Sequence, residues 1–119
     1  MSRYVMIKTQ LSDMQALRQT LQGMGVTTSE RTAGGASRPE LLAQTPVGVV
    51  RFSQEGDNPI RMAGIEEVMS QEAAREFLRQ VTQQYARRKV IADAERAGFR
   101  LVEEHVEADN SIRLVVRKW

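Results

Sequence analysis

Residues 70–119 decide the fold and read SQEAAREFLRQVTQQYARRKVIADAERAGFRLVEEHVEADNSIRLVVRKW. Ser70 is a favoured N-cap residue, so we predict a long helix from Gln71 to about Ala97. Gly98 stands where a left-handed C-cap residue is expected, and the residues after it predict a two-stranded ribbon. The helix carries an apolar stripe with a spacing of four: Phe77, Val81, Tyr85.

The stripe changes its spacing after Tyr85, because its next apolar members are Val90 and Ala94. A step of five requires either a π-type bulge near residues 87–89 or a contact with a different surface, such as a second subunit. The simpler interpretation, which we prefer, continues the regular spacing and places three residues there: Arg88 and Ala92 on the stripe and Ile91 at its rim.

The loop of the ribbon decides which ribbon face is apolar. A three-residue loop with Asn110 in the left-handed conformation pairs even numbers with even, whereas a two-residue turn mixes polar and apolar residues on both faces. We therefore predict an apolar face with Val102, Val106, Ile112, Leu114 and Val116. The other face holds Glu103, Glu107, Arg113, Arg117 and Trp119, whose opposite charges can pair across the strands. Glu104 then falls on the apolar face, where it lies either at the open end of the sheet or paired with an arginine, and we favour a structural salt bridge over a catalytic role.

The first part of the chain predicts a strand followed by a helix. The apolar run in Arg3–Thr9 is typical of a buried strand. Ser12 as N-cap and Gln15 three places later form a capping box, and the helix is expected to end at Gly23 or Gly25.

The middle of the chain predicts further strands, joined by a turn at 54–58 and a glycine-rich loop at 33–39. Residues 39–44 form either a single helical turn or the start of a strand. The expected strands are Thr27–Arg31 as an edge strand, Val47–Phe52, and Pro59–Ile65.

The fold class that follows is α+β, with residues 1–119 as a single domain. We predict an antiparallel sheet of about five strands with two helices packed on one face, in the order β-α-β-β-β-α-β-β. Hydrophobic residues make up 41% and charged residues 27%, as in ordinary globular proteins. No apolar run approaches the roughly 20 residues that span a bilayer, and residues 1–4 lack a signal-peptide core, so we expect a cytoplasmic protein without a membrane span.

The charge balance argues against a dedicated nucleic-acid binder. Although the pI is about 9.4, the net charge is only +2, and aromatic residues make up 5%. One basic cluster could nevertheless contact phosphates: Arg75, Arg79, Arg87, Arg88 and Lys89. Glu72 and Glu76 each precede an arginine of this cluster by three places, which is typical of surface ion pairs. Nucleic-acid binding is therefore the alternative function.

The sequence offers little for catalysis. His105 is the only histidine and the chain has no cysteine, so no His or Cys cluster can bind a metal. His105 lies beside Glu103 and Glu107, where it could act as a general base, but we interpret it as a solvated strand residue. We predict no catalytic, cofactor-binding or metal-binding residues and therefore a protein that is not an enzyme.

Several segments resemble a known family. They are 1–4, 7–9, 77–78, 81–86, Val90, 98–99, 110–115 and 118–119. These segments are similar to the hypothetical chloroplast open reading frame thirty-five family, uncharacterised proteins of cyanobacteria and plastids, over about 26 N-terminal and 45 C-terminal residues. The family usually has glycine in place of Asn110. In the middle it usually has tryptophans and a longer aromatic-rich strand pair, whereas Phe52 is the only aromatic residue of Val47–Ile65 in this chain. The resemblance implies no established activity, a plastid-stroma alternative for the location, and an accessory role, since family genes often lie near a gene for an AAA-class ATPase.

Together these observations predict a small non-enzymatic interaction protein, an adaptor or assembly factor. The expected contact residues are Phe99, Val115, Trp119 and Val90. The expected partner is another protein or a second copy bound through the ribbon or the end of the long helix.

Overall fold

The structure, a computed structural model, describes residues 3–32 and 39–118. Its elements are β1 (Tyr4–Lys8), α1 (Met14–Gly23), β2 (Thr28–Thr32), β3 (Pro39–Thr45), β4 (Gly48–Ser53), β5 (Arg61–Ile65), α2 (Glu66–Met69), α3 (Glu72–Arg96), β6 (Phe99–Val106) and β7 (Ile112–Lys118). The α+β class and the five-stranded antiparallel sheet are confirmed. Two elements are additional to the predicted order, the strand β3 and the short helix α2. The ribbon β6–β7 forms a sheet of its own.

The chain divides into two compact units, Met1–Thr82 and Gln83–Trp119. The first contains the five-stranded sheet with α1, α2 and the beginning of α3, and the second contains the rest of α3 with the ribbon. That residues 1–119 act as a single domain stays a prediction. None of the helices among the described residues is long and apolar enough to span a membrane.

The five-stranded sheet has the strand order β1-β5-β4-β3-β2. Its register aligns Leu41 with Phe52 and Phe52 with Met62, so these three fully buried residues lie on one face, which we call the core face. Arg18 of α1 lies 2.9 Å from Glu30, which pairs with Leu41, and this contact places α1 over the core face. Helical residues complete the core of this unit: Leu17, Leu21, Val68, Met69, Ala74, Phe77 and Val81.

The strand β1 corrects one prediction. It was expected to be buried, but it is an edge strand in which every residue except Val5 is exposed. A run with apolar residues on both faces is typical of a central strand, and here the run lies at the end of the sheet. Apolar side chains are therefore left in contact with solvent.

The predicted ends of the helices are only partly confirmed. Asp13, not Ser12, caps α1, because its side chain accepts a hydrogen bond from the backbone of Ala16 at 3.1 Å. The long helix begins at Glu72, since Ser70 is instead the C-cap of α2. Gly98 has the predicted left-handed conformation after α3, with φ +89°.

The ribbon confirms the predicted loop and corrects its apolar face. The backbone N–H of Glu107 donates to the carbonyl of Ser111 across a three-residue loop, and Asn110 has φ +67°. Val106 lies opposite Ile112 and Glu104 opposite Leu114, as predicted. A β-bulge between Leu101 and Glu103 then changes the alternation, so that Phe99 and Leu101 join the face of Leu114 and Val116, while Val102 stays 38% exposed.

Helix α3 is α-helical throughout, so the predicted alternative of a π-type bulge is wrong. The preferred interpretation is also wrong in part, because Arg88 and Ala92 are exposed. Ile91 is half-buried as expected, and the half-buried positions after Tyr85 are Arg87, Ile91 and Ala94. The contact face of the helix therefore turns gradually, without a local defect.

Candidate protein-interaction surface

The second face of the five-stranded sheet carries exposed apolar side chains. Because alternate residues of a strand point to opposite faces, this open face presents the strand residues between those of the core face. Its exposed large apolar residues are Tyr4 (56% exposed), Met6 (50%), Val49 (44%) and Ile65 (40%), and we call these four residues the apolar patch.

The strand register brings the patch together from three strands. Tyr4 lies directly opposite Ile65, and Met6 lies opposite Ala63 on the same two strands. Arg51 also pairs with Ala63, and Val49 precedes Arg51 by two residues on the same face. The patch therefore forms a continuous surface across β1, β5 and β4.

Charged groups border this patch on the open face. The guanidinium carbon of Arg51 lies 4.9 Å from the centre of the Tyr4 ring, a cation–π contact. Glu40 is almost buried, with Arg31 at 3.0 Å and Arg51 at 3.7 Å from its carboxylate. Arg61 donates to the sulfur of Met6 at 3.8 Å. Arg51 and Arg61 thus each contact one side chain of the patch.

The open face is also divided by charge. The strand register places Lys8 beside Arg61 at one end of the β1–β5 pair. Tyr4 and Ile65 lie beside each other at the other end. One end of the face is therefore apolar and the other cationic. A partner that matches it presents an apolar surface with carboxylates at one side.

A groove of about 270 Å³ lies between α1 and the strands β2 and β3. Its lining residues are Met14, Gln15, Arg18, Glu30, Glu40 and Leu41. Arg18 donates to Gln15 at 2.7 Å, and its Nε lies 2.9 Å from the Glu30 carboxylate, so the arginine of the lining contacts two of its polar neighbours. Within residues 3–32 and 39–118, no group of three or more His, Cys, Asp or Glu side chains could hold a metal ion.

Comparison with known proteins identifies the family. The family model described as "Protein of unknown function (DUF1257)" matches residues 50–115, more than half of the chain. This chain belongs to the DUF1257 family. No solved structure matches it.

Two similar proteins are both described as "Uncharacterized protein ycf35". The one from Cyanophora paradoxa is 44% identical over 43 residues, which cover 36% of this chain and 34% of that protein. The one from Pyropia yezoensis is 24% identical over 127 residues, covering 100% of this chain and 98% of that protein. These matches confirm the resemblance to that family. The DUF1257 match also includes residues 50–65, in the middle stretch that the resemblance from sequence left out.

The three described partner-contact residues of this DUF1257 protein do not share one face. Val90 is 51% exposed on α3, whereas Phe99 and Val115 are half-buried on opposite faces of the ribbon, because the β-bulge moves Phe99 to the face of Leu114. Trp119 lies outside the described residues. Whether any of these residues contacts a partner stays a prediction.

The predicted phosphate-contact residues fall into two groups. Arg79 makes two hydrogen bonds to Glu76, Arg87 makes two to Glu104, and the Lys89 ammonium lies 5.7 Å from the centre of the Tyr85 ring. The other two, Arg75 and Arg88, are exposed. Three of the five cations therefore already have partners within the chain, and contact of this cluster with phosphates stays a prediction.

The predicted salt bridge of Glu104 with an arginine is confirmed. Arg87 Nε and Nη2 donate to the two carboxylate oxygens of Glu104 at 2.5 and 2.8 Å, and both side chains are about 30% exposed. These hydrogen bonds hold the pKa of Glu104 below its ordinary value of 4.5 and raise the pKa of Arg87. The pair ties α3 to β6 within the second unit.

We expect Glu104→Gln to weaken the ribbon in a pH-dependent manner. Because the folded pKa of Glu104 is lowered, its contribution is complete above pH about 4.5 and is lost as the pH falls through the folded value. Hydrogen exchange of the ribbon amides should therefore be faster in Glu104→Gln than in the wild type at pH 7. The difference should shrink below pH about 4.5 and disappear once the pH has fallen through the lowered pKa of Glu104.

Glu76→Gln is the matched control for this experiment. Glu76 also accepts two hydrogen bonds from an arginine that lowers its pKa, but Arg79 is three residues away on the same exposed helix. A local surface pair contributes little, so we expect no change in ribbon exchange. An equal effect of both substitutions would contradict the role of the Arg87–Glu104 pair in joining helix to ribbon.

His105 is exposed and lies 3.1 Å from Glu103 on the same strand. The arrangement is that of a surface strand residue beside a carboxylate, as we interpreted it from the sequence. That the protein is not an enzyme stays a prediction.

Proposed function

We propose that this protein is a small non-enzymatic interaction protein that binds another protein through the open face of its five-stranded sheet. The observation that carries the proposal is the apolar patch of Tyr4, Met6, Val49 and Ile65. An exposed apolar surface of contiguous side chains with a charged border is typical of a protein–protein interface. The cationic end at Lys8 and Arg61 favours a partner with carboxylates beside its apolar contact surface. We infer the cytoplasm or the plastid stroma as its location.

No contact among the described residues specifically favours nucleic-acid binding as the alternative function. Its test is direct: anisotropy of labelled duplex and single-stranded DNA with the full chain at low salt. Strong binding that weakens steeply with salt would favour this alternative over the interaction protein.

We expect Val49→Lys to abolish partner binding without unfolding the protein. The substitution places a charge on the β4 side of the apolar patch, where burying it against a partner is costly. The measurement is capture by the tagged full chain from lysate of the source organism, with quantitative mass spectrometry of the bound proteins. Loss of at least about tenfold of the specifically bound protein is expected.

Gln22→Lys is the control, because Gln22 is exposed on α1, away from the open face. This variant should capture the same protein as the wild type, and thermal unfolding should show that both variants are folded. Equal capture by Val49→Lys, or no specific capture by the wild type, would contradict the proposal.

A further inference from the structure

The two edges of the five-stranded sheet differ in their chemistry. The edge strand β2 reads Thr-Ser-Glu-Arg-Thr, whereas the edge strand β1 reads Tyr-Val-Met-Ile-Lys. Natural proteins protect free edges with charges, prolines or bulges. Glu30 and Arg31 give β2 such protection, while β1 has one charge, Lys8, at its end. Its register with β5 is continuous over five residue pairs without a bulge. The β1 edge is therefore open to pairing with another strand.

The hydrogen bonds of β1 define which backbone groups face this edge. The backbone N–H of Thr9 donates to the Ile60 carbonyl at 3.0 Å, and the backbone N–H of Glu66 donates to the Arg3 carbonyl at 2.7 Å. Both bonds point toward β5, so the odd-numbered residues of β1 use their backbone groups within the sheet. The N–H and C=O groups of the even-numbered residues, Tyr4, Met6 and Lys8, consequently point outward.

We propose that β1 is a self-association edge, at which two copies of this chain pair their β1 strands antiparallel with Met6 opposite Met6 of the second copy. In this register Tyr4 of each copy lies opposite Lys8 of the other. All three outward-facing residues then form hydrogen-bonded pairs, about six hydrogen bonds in total. The two sheets become one continuous sheet.

The side chains of β1 match this register. Tyr4 and Lys8 share the open face, so each lysine meets an aromatic ring of the other copy. If the second copy's β1 is shifted by two residues from this register, only two hydrogen-bonded pairs remain. If the pairing is instead centred on Lys8, the two lysines lie opposite each other and repel. The two-fold arrangement centred on Met6 therefore has the most hydrogen bonds and no like-charge pair.

The side chains on the core face of β1 also favour pairing with a second copy of this chain. Ile7 shares the row of Phe52 and Met62 but is 37% exposed, because no described strand lies beyond β1. In the proposed register Val5 of the second copy lies directly opposite Ile7 and covers it. A second copy thus buries apolar side chains on both faces of the edge.

Analytical ultracentrifugation of the full chain between about 1 and 200 µM tests the proposal. A small strand–strand interface predicts a dissociation constant on the order of micromolar, so the mass should rise from monomer to dimer over this range. Met6→Lys opposes two lysines, and Met6→Pro removes an outward N–H without breaking a bond to β5. Both variants should stay monomeric and keep the unfolding midpoint of the wild-type monomer.

Ser29→Lys is the matched control, since Ser29 occupies the same row of the open face as Met6 at the opposite edge of the sheet. It should dimerise as the wild type does. A wild type that stays monomeric at 200 µM would overturn the proposal, as would a Met6→Lys variant that dimerises normally.

Single cysteines test the register, because the chain has none of its own. Met6→Cys should form a disulfide-linked dimer under mild oxidation, since opposite Cα atoms in a hydrogen-bonded pair lie about 5.5 Å apart. Lys8→Cys should not, because the two copies of that position would lie more than about 13 Å apart. Faster cross-linking of Lys8→Cys would show that the register is wrong.

Discussion

Replacing Phe52 with alanine is expected to destabilise the protein by about 3 to 5 kcal/mol. Phe52 is fully buried at the centre of the core face, with Leu41 and Met62 directly opposite on the neighbouring strands. Its loss leaves a cavity that the two adjacent strands cannot fill. Urea unfolding followed by circular dichroism measures the change as a lower transition midpoint.

Val49→Ala on the same strand is the control for this prediction. Val49 points to the open face and is 44% exposed, so its truncation should change the free energy of unfolding by less than about 0.5 kcal/mol. A loss as large as that of Phe52→Ala would mean that the open face is part of the core. The expected difference separates a residue that stabilises the fold from one that is available for a partner.

The position of a strand within the sheet was not predictable from the sequence. Val5, Met6 and Ile7 have the apolar pattern of a buried strand, but exposure depends on whether another strand lies beyond them. The order β1-β5-β4-β3-β2 places β1 at the end through a pairing with residues more than 50 positions later. Periodicity reports which residues can be buried and contains no information about strand order.

Features set by adjacent residues were predicted more accurately. The three-residue loop of the ribbon and the left-handed Asn110 follow from the alternation on either side of them, and both are confirmed. The bulge between Leu101 and Glu103 has no comparable local signal, since neither glycine nor proline marks it. This bulge also places Phe99 and Val115 on opposite faces of the ribbon, which the sequence pattern did not indicate.

The apolar patch was missed for the same physical reason as the edge strand. Each of its residues had been assigned to a strand, but only the register brings Tyr4 opposite Ile65 and places Val49 near them. Strand alternation alone gives two possible faces for each strand. The choice between them depends on where the helices pack, which is a property of the tertiary structure.

Gly48→Ala is the second substitution with a large expected effect, a loss of about 2 to 4 kcal/mol. Gly48 has φ +141°, which residues with a side chain rarely adopt, and a Cβ atom there would lie 2.7 Å from Cγ2 of Val68. The β-branched Val68 is nearly buried and stiff at χ1, so it cannot move away easily. Thermal and urea unfolding of the full chain should both show the loss.

Gly64→Ala is the matched control, because it adds the same methyl group to the neighbouring strand β5. Its Cβ would meet Cγ and Sδ of Met69 at 3.2 Å, and a flexible methionine can adjust, so we expect a cost below about 1.5 kcal/mol. The double variant Gly48→Ala/Val68→Ala separates the two causes at Gly48. If the collision with Val68 dominates, the double variant loses less than the sum of the single losses. Additive losses would instead assign the cost to the backbone conformation of Gly48.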